Sequence, residues 1–414
     1  MELVVISPEG DQPDEVARLE GLFAAGLERY HVRKPSWNRA DLERWLKEIR
    51  EEWRARMVLH SHHELAEPYG LLGCHWKDSA APAAGPTGSA VGRGQFTSCS
   101  CHRLEDLRAR LGRYDSIFYS PVFESDSKPG RPGIGGDQLA ELCAFLQSAE
   151  RRLHPRTRVI ALSGITPDRA RECAELGFDG VAVMGGIPAR PEAALHHFLQ
   201  YRRALLPPVM CLVENAEQAL QLCAAGARFI QLRCKGRTEP EWLGLAREVV
   251  RVCRAHGARC IINDRPDIAV AAGADGAHVG NTDMPWPEAR VVLGSGRLLG
   301  GTVNDASDAV RAVEARCLDY VGVGPLRFTT TKQKLAPVLG LDGISRLLAV
   351  LGATRPPLPA WVIGGVQAAD LAALREAGAA GVAVSSVLYS GQSIATQFAA
   401  LAGAWPGRHA LLVS

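Results

Sequence analysis

The sequence predicts an α/β chain made of two tandem (β/α)8 TIM barrels. Three observations carry that expectation. The 414-residue chain repeats itself once, the period is close to half its length, and the second half alternates eight short apolar runs with stretches of helical spacing. Asp179-Gly180-Val181-Ala182-Val183 recurs as Ala380-Gly381-Val382-Ala383-Val384 at an offset of 201 residues, and Asp115 through Pro121 lines up with Asp319 through Pro325 at 204. His31-Val32-Arg33 matches Gln231-Leu232-Arg233 at 200, and Gly73-Cys74-His75 matches Gly276-Ala277-His278 at 203. Such a period is too long for a solenoid unit and suits a whole domain.

Taken in order, the runs of the second half are Pro208–Val213, Phe229–Leu232, Cys260–Ile262, Gly276–Val279, Leu298–Val303, Tyr320–Val323, Trp361–Ile363 and Gly381–Val384. They are continuously apolar rather than alternating, as strands buried on both faces are. Between them, Trp242, Leu243, Ala246, Val249, Val250 and Val252, or Leu371, Leu374 and Ala377, have helical spacing. Eight alternations in half the chain fit a small (β/α)8 barrel. An open doubly wound sheet would call for a Gly-x-Gly-x-x-Gly turn after the first strand, and neither half has one there. The predicted boundary lies where helical Phe198–Leu206 meets Pro207-Pro208, which cannot continue a helix. The expected domains are therefore residues 1–206 and 207–414, and so short a joint predicts barrels packed on each other or on a second copy of the chain.

Composition removes other classes. The 47 basic residues against 45 acidic ones leave a net charge of +2, which disfavours a polybasic nucleic-acid or membrane-surface binder. No run of 18 apolar residues and no basic leader at the N-terminus are present, so a cytoplasmic location is expected. Eleven scattered cysteines read as reduced core thiols. Lysine is scarce: only Lys34, Lys47, Lys77, Lys128, Lys235, Lys332 and Lys334 occur, and Lys235, Lys332 and Lys334 fall within or next to the strand exits described next.

In (β/α)8 barrels the chemistry sits at the carboxyl ends of the strands. In the second half these exits carry Gln231-Leu232-Arg233-Cys234-Lys235, Asn263-Asp264-Arg265, His278 through Asp283, Thr302-Val303-Asn304, Gly324 through Lys332, Gly364-Gly365 and Ser385-Ser386. Two Asp at adjacent exits suit a hard Mg²⁺ that bridges a diphosphate. Arg233 offers a planar fork and Lys235 and Lys332 offer point charges for the same anion. The glycine pair and the two serines suit a monophosphate held by backbone N–H groups between strands seven and eight, with Thr329-Thr330-Thr331 adding hydroxyls. Taken singly, Asn263-Asp264 would suit a helix cap, Gly364-Gly365 a tight turn, and His278 a structural imidazole. Their coincidence at consecutive exits of one barrel favours two phosphorylated ligands.

On these motifs residues 208–405 resemble thiamine-phosphate synthase. The resemblance rests on Gln231-Leu232-Arg233-x-Lys235, Ile262-Asn263-Asp264-Arg265, Ala274 through Gly280-x-x-Asp283, Gly324-Pro325 through Lys332, and Ile363-Gly364-Gly365-Val366. It implies the joining of hydroxymethylpyrimidine diphosphate to thiazole phosphate, with release of pyrophosphate and no nucleic-acid or membrane partner. It further implies that the segment Gln231-Leu232-Arg233-Cys234-Lys235, with Asn263, Thr302 and Lys332, contacts the pyrimidine diphosphate. Asp264 and Asp283 would hold Mg²⁺, while Thr329, Thr330, Thr331, Gly365, Ser385 and Ser386 would hold the thiazole phosphate. The implied chemistry is dissociative, with Arg233, Lys235 and Lys332 stabilising the leaving pyrophosphate. Asn281 replaces a common Gln, and Thr302-x-Asn304 a common Ser-x-His.

The first half keeps Arg33-Lys34 but has His60-Ser61 in place of Asn263-Asp264, and only Asp78 lies near the position of Asp283. It resembles the related thiazole tautomerase group, although Pro121 stands where that group has its catalytic His. Ser98 through His102, Ser120-Pro121, Ser125 through Lys128 and Ser163-Gly164-Ile165 remain for a monophosphate. Three readings stay open: a scaffold or regulatory barrel, an isomerase using His102, His75 or Cys101, and a metal site. Nine of the twelve histidines lie in this half, and His31, His60, His62, His63, Cys74, His75, Cys99, Cys101 and His102 map to neighbouring strand exits. Soft N and S ligands of this kind would select Zn²⁺.

Overall fold

The computed structural model of the chain describes residues 1–82, 85–86, 94–125, 132–184, 187–234, 236–328, 337–354, 357–390 and 393–405. Two compact units meet between Leu205 and Leu206. In the first unit, β1 (Glu2–Ile6), β2 (Arg29–Val32), β3 (Met57–Leu59), β4 (Gly73–Trp76), β5 (Phe96–Cys101), β6 (Ser116–Tyr119), β7 (Arg158–Leu162) and β8 (Gly180–Val183) form a closed parallel barrel. In the second, β9 (Val209–Val213), β10 (Phe229–Leu232), β11 (Arg259–Asn263), β12 (Gly276–Val279), β13 (Leu298–Val303), β14 (Tyr320–Val323), β15 (Ala360–Ile363) and β16 (Gly381–Val384) do the same. The eight runs expected from sequence thus coincide with the strands to within a residue at each end. The helix before the joint is Pro191–Ala204, which stops short of the expected Leu206.

Helices alternate with the strands because each carries one apolar stripe and a start signal. Thr238 and Glu241 form a reciprocal capping box at the start of Glu239–Ala255, whose buried Trp242, Ala246, Val249, Val250 and Cys253 recur at helical spacing. Leu243 and Val252 flank that stripe and are only partly buried against the core. Asn215 and Asp305 cap the helices Ala216–Ala224 and Ala306–Ala315 through their side chains.

Two layers of core follow from strand alternation. In the second barrel Ile230, Leu232, Cys260 and Ile262 pack outward on the helices. Phe229, Ile261, Tyr320 and Trp361 point inward and fill the lumen, with Phe229, Tyr320 and Trp361 in mutual edge contact. All eleven cysteines are free and eight are buried. No helix among the described residues is long and apolar enough to cross a membrane.

Candidate active site

Because Phe229 and Ile261 face the lumen, residues two further along each strand face it too, nearer the carboxyl end. Gln231 and Asn263 occupy those places and are buried at 4% and 9% exposure. Gln231 Nε2 lies 3.5 Å from Met210 Sδ. On β12, His278 Nε2 meets Thr302 Oγ1 of β13 at 3.0 Å. The ring fits because its neighbours are glycines: a Cβ on Gly300 would stand 2.5 Å from His278 Nδ1, and one on Gly322 3.2 Å from Cε1.

The charged groups stand beyond this layer, towards the carboxyl ends of the strands. Arg233 follows β10, is half-buried, and has no ion-pair partner among the described residues. Asp264 follows β11 in the left-handed region at φ 63, a conformation that Asp tolerates better than most side chains. Its backbone N–H donates to the His278 carbonyl at 2.7 Å, which ties the exit of β11 to β12. The helix that follows starts at Pro266 with Arg265 at the cap position, so neither Asn263 nor Asp264 is its N-cap. Asp283 accepts the Gly280 N–H on Oδ2 at 2.7 Å and is half-buried. The carboxylates therefore sit at the exits of two paired strands, where oxygen donors of this kind could hold a divalent cation.

On the opposite side of the mouth, Gly364 and Gly365 take φ 96 and 68, and a Cβ on Gly364 would stand 2.6 Å from that of Pro325. Ser385 and Ser386 follow β16 and open the short turn Ser386–Tyr389, so the glycine pair and the two serines stand at the exits of the paired strands β15 and β16. Leu232 contributes its side chain to the outer core rather than to the lumen, and Cys234 Sγ is 2.9 Å from Arg237 Nε. Lys235, Thr329, Thr330, Thr331 and Lys332 lie outside the described residues.

Two supports escaped the sequence reading. Asp308, 6% exposed, accepts from Asn281 Nδ2 at 2.7 Å and from the Asn304 N–H at 2.8 Å, so it joins the exits of β12 and β13. Asn281 is thereby held to protein. Arg327 after β14 grips Asp370 through both guanidinium nitrogens, at 2.5 and 2.6 Å, and reaches the Gly365 carbonyl at 3.1 Å. The guanidinium holds the Asp370 carboxyl below the usual carboxylate range. The spacing Asp305-x-x-Asp308 was a legible signal for the first support, since Asp308 N–H donates to the Asp305 cap at 2.8 Å. Nothing local pairs residues 327 and 370.

The first barrel consumes the cations that the sequence left available. Lys34 is 1% exposed and bonded to Glu15 Oε2 at 2.6 Å and to the Gly10 carbonyl at 2.7 Å. Arg33 pairs with Glu9, and Asp78 with Arg110 at 2.7 Å. Cys74, Cys99 and Cys101 point outward into the helix-facing core, where burial pushes the Cys74 and Cys99 thiols up to about 12 and that of Cys101 higher still. This removes Cys101 as an acid–base group and all three thiols as lumen ligands. His62 and His63 bond to the Trp37 and His75 carbonyls, both at 3.1 Å, and exposed His102 to the Ser120 carbonyl at 2.6 Å. The Ser163-Gly164 turn repeats the left-handed pair at φ 86 and 64. Of the Ser125 through Lys128 segment, residues 126–128 lie outside the described residues. A cavity of about 630 Å³ in this unit is lined by Val5, Ile6, Arg18, Tyr30, Met184 and Ile187 among others, and Arg18 there is bonded to Gln12 and the Ala189 carbonyl.

Comparison with known proteins agrees with the duplication. The thiamine monophosphate synthase family pattern matches residues 3–187 and again residues 205–388. A thiamine-phosphate synthase of Flavobacterium johnsoniae is 40% identical over 176 residues, which is 42% of this chain and 81% of that one. One of Myxococcus xanthus is 43% identical over 199 residues, 48% of this chain and 87% of that one. Among solved structures, thiamine phosphate pyrophosphorylase from Pyrococcus furiosus aligns with a TM-score of 0.44 at 24% identity, over 49% of this chain and 97% of its own. With both halves matched, this chain belongs to the thiamine monophosphate synthase family.

Proposed function

We propose that the second barrel is a transferase that joins hydroxymethylpyrimidine diphosphate to thiazole phosphate, giving thiamine phosphate and pyrophosphate. The observation that carries this reading is the placement of Arg233, Asp264 and Asp283 at the exits of three consecutive strands, above a lumen lined by Gln231, Asn263, His278 and Thr302. Two carboxylates at paired strands are a donor set that fits Mg²⁺, which would supply positive charge beside the diphosphate.

The bond from the pyrimidine methylene to the diphosphate oxygen breaks first, and the electron pair leaves with pyrophosphate. The thiazole nitrogen then supplies the pair for the new C–N bond. No side chain need act as a nucleophile. Arg233, Lys235 and Lys332 stabilise the charge that develops on the leaving oxygen, which is where preorganised cations lower a barrier most. Gln231 and Asn263 hold the pyrimidine, and Gly365, Ser385 and Ser386, with Thr329 through Thr331, hold the thiazole phosphate so that the rings meet in line.

The test is to incubate the purified chain with both phosphorylated substrates and Mg²⁺ and to measure thiamine phosphate. Production that survives unchanged in Asp283→Ala or Lys332→Ala would overturn the assignment. For the first barrel we infer a domain without this reaction, because Arg33 and Lys34 are paired with Glu9 and Glu15 and Ser61 stands in place of Asp264.

A further inference from the structure

The lumen of the first barrel holds a group of side chains that the synthase reading does not use. His31 on β2, His60 just after β3 and His75 on β4 point inward, and one ring nitrogen from each lies within 4.8 Å of the others. His31 Nδ1 and His60 Nε2 are 3.0 Å apart, while the His60 and His75 rings stack at 4.1 Å between centroids. Phe118 closes the group from β6, 4.7 Å from His31 and 4.9 Å from His75.

The fold itself does not require imidazoles at all three places. Strand register places Gln231, Asn263 and His278 of the second barrel at the corresponding positions, since His31 pairs with Val58 as Gln231 does with Ile261, and His75 with Ser98 as His278 does with Gly300. His31 is wholly buried, its Nδ1 shares one proton with His60 Nε2, and its Nε2 has no hydrogen-bond partner among the described residues. Burial also lowers the pKa of all three rings, that of His75 to about 3. Neutral imidazole is the ligating form.

We propose that His31, His60 and His75 bind a single first-row divalent cation of the Zn²⁺ class inside the first barrel. Three nitrogen donors without a carboxylate favour Zn²⁺, Co²⁺ or Ni²⁺ over Mg²⁺ or Ca²⁺. The shell that orients such ligands is present for His75. Ser98 Oγ and Ser100 Oγ each lie 2.9 Å from the ring, at Nδ1 and Nε2, so two hydroxyls orient His75, and a cation at Nε2 would displace the Ser100 contact. The cation would replace the proton shared between His31 and His60, whose 3.0 Å separation is near the roughly 3.3 Å between donors of a tetrahedral site with bonds of about 2.0 Å. His60 is the least buried of the three, so the fourth position faces the mouth, where water or an oxygen or nitrogen donor of a ligand would enter. Arg33, which acts on His60 and His75 from nearby, has its charge offset by Glu9.

The full chain, stripped with chelator, is dialysed against Co²⁺ in a large excess of Mg²⁺, and bound cobalt and its visible absorption are measured. One Co²⁺ per chain with the intense bands of a four-coordinate ion, displaced by Zn²⁺, is expected. The His31→Gln/His60→Asn variant, which installs the residues of the second barrel, should lose that equivalent while His62→Ala keeps it. Equal cobalt in wild type and the double variant, or none in wild type, would overturn the proposal. X-ray absorption of the zinc-loaded wild type gives a reading that does not depend on whether the variants fold. It should show a shell of three imidazoles, and a shell dominated by oxygen or sulfur would also overturn it.

Discussion

The two barrels are one fold with two different interiors. Both keep a histidine on the fourth strand bonded to a hydroxyl on the fifth: His75 to Ser100 at 2.9 Å in the first, and His278 to Thr302 at 3.0 Å in the second. Around that shared pair the volumes are exchanged. Where the second barrel has Gly300, Tyr320 and Gly322, the first has Ser98, Ser116 and Phe118, as the strand registers show. Tyr320 plugs the lumen floor in one and Phe118 fills its middle in the other. Above that layer the difference is chemical: the second barrel presents Arg233, Asp264 and Asp283, while the first has locked its cations into ion pairs. A barrel can therefore keep its backbone while two cations at a strand end pair with its own carboxylates.

The largest effect that would break this comparison is catalytic. Asp283→Ala removes one of two carboxylates and should lower thiamine phosphate formation by about 10²-fold or more, the scale of losing one preorganised electrostatic contact. Asp78→Ala, the nearest counterpart in the first barrel, releases only Arg110 and should leave the rate within about twofold. Steady-state assays of both variants check this. Equal losses would mean that the barrels share the reaction.

Next in size is the Lys34 ion pair. Lys34→Met leaves Glu15 buried without its cation and should cost the first unit about 3–5 kcal/mol in chemical denaturation. Cys234→Met at the matching position of the second barrel, where the side chain is half-buried and carries no charge, should cost about 1 kcal/mol or less. A small effect at Lys34 would return that lysine to the pool of ligand-binding candidates.

A third measurement tests the exchange of volumes. Gly300→Ser brings a side chain against the Tyr320 ring and His278, and overpacking of this kind costs about 1–3 kcal/mol. Adding Tyr320→Ser copies the first barrel's pair, Ser98 and Ser116, and should recover the part of the loss that comes from the clash. Urea midpoints of the single and double variants separate the two outcomes.

The legible part of this molecule was whatever depended on local pattern. Strands buried on both faces announced themselves as apolar runs, and the repeat fixed their number in both halves. The residues at the second barrel's exits followed from strand ends alone. What sequence could not show was direction and pairing. Cys99 and Cys101 sit beside Ser98 and Ser100 on one strand, and only the inward or outward sense of each side chain separates a lumen group from a core thiol. The nine His and Cys positions of the first half reduce to three in the same way. Lys34 looked available because Glu15, its partner, is 19 residues away and on another element. The bonds from Arg327 to Asp370 span 43 residues and had no local signal at all.

That last contact gives the smallest predicted effect and the finest distinction between the barrels. Both fasten the loop after the sixth strand to the turn after the seventh, but with opposite parts. In the second barrel Arg327 on the sixth-strand loop grips the Asp370 carboxylate. In the first, Arg169 reaches from beyond the seventh strand to the carbonyls of Gly164 at 2.8 Å and Glu124 at 3.2 Å. A carboxylate titrates and a carbonyl does not. Because Arg327 lowers the Asp370 pKa below its ordinary 3.8, the unfolded chain takes up that proton more readily, and the contribution is complete above pH 3.8 and declines as pH falls through the lower folded value. Arg327 is half-exposed, so Arg327→Ala should cost about 1 kcal/mol or less at neutral pH. The stability difference between wild type and Arg327→Ala should shrink towards zero below pH 3.8, whereas that for Arg169→Ala should stay level over the same range. Parallel pH profiles for the two variants would show that the Arg327 contact acts through packing rather than charge.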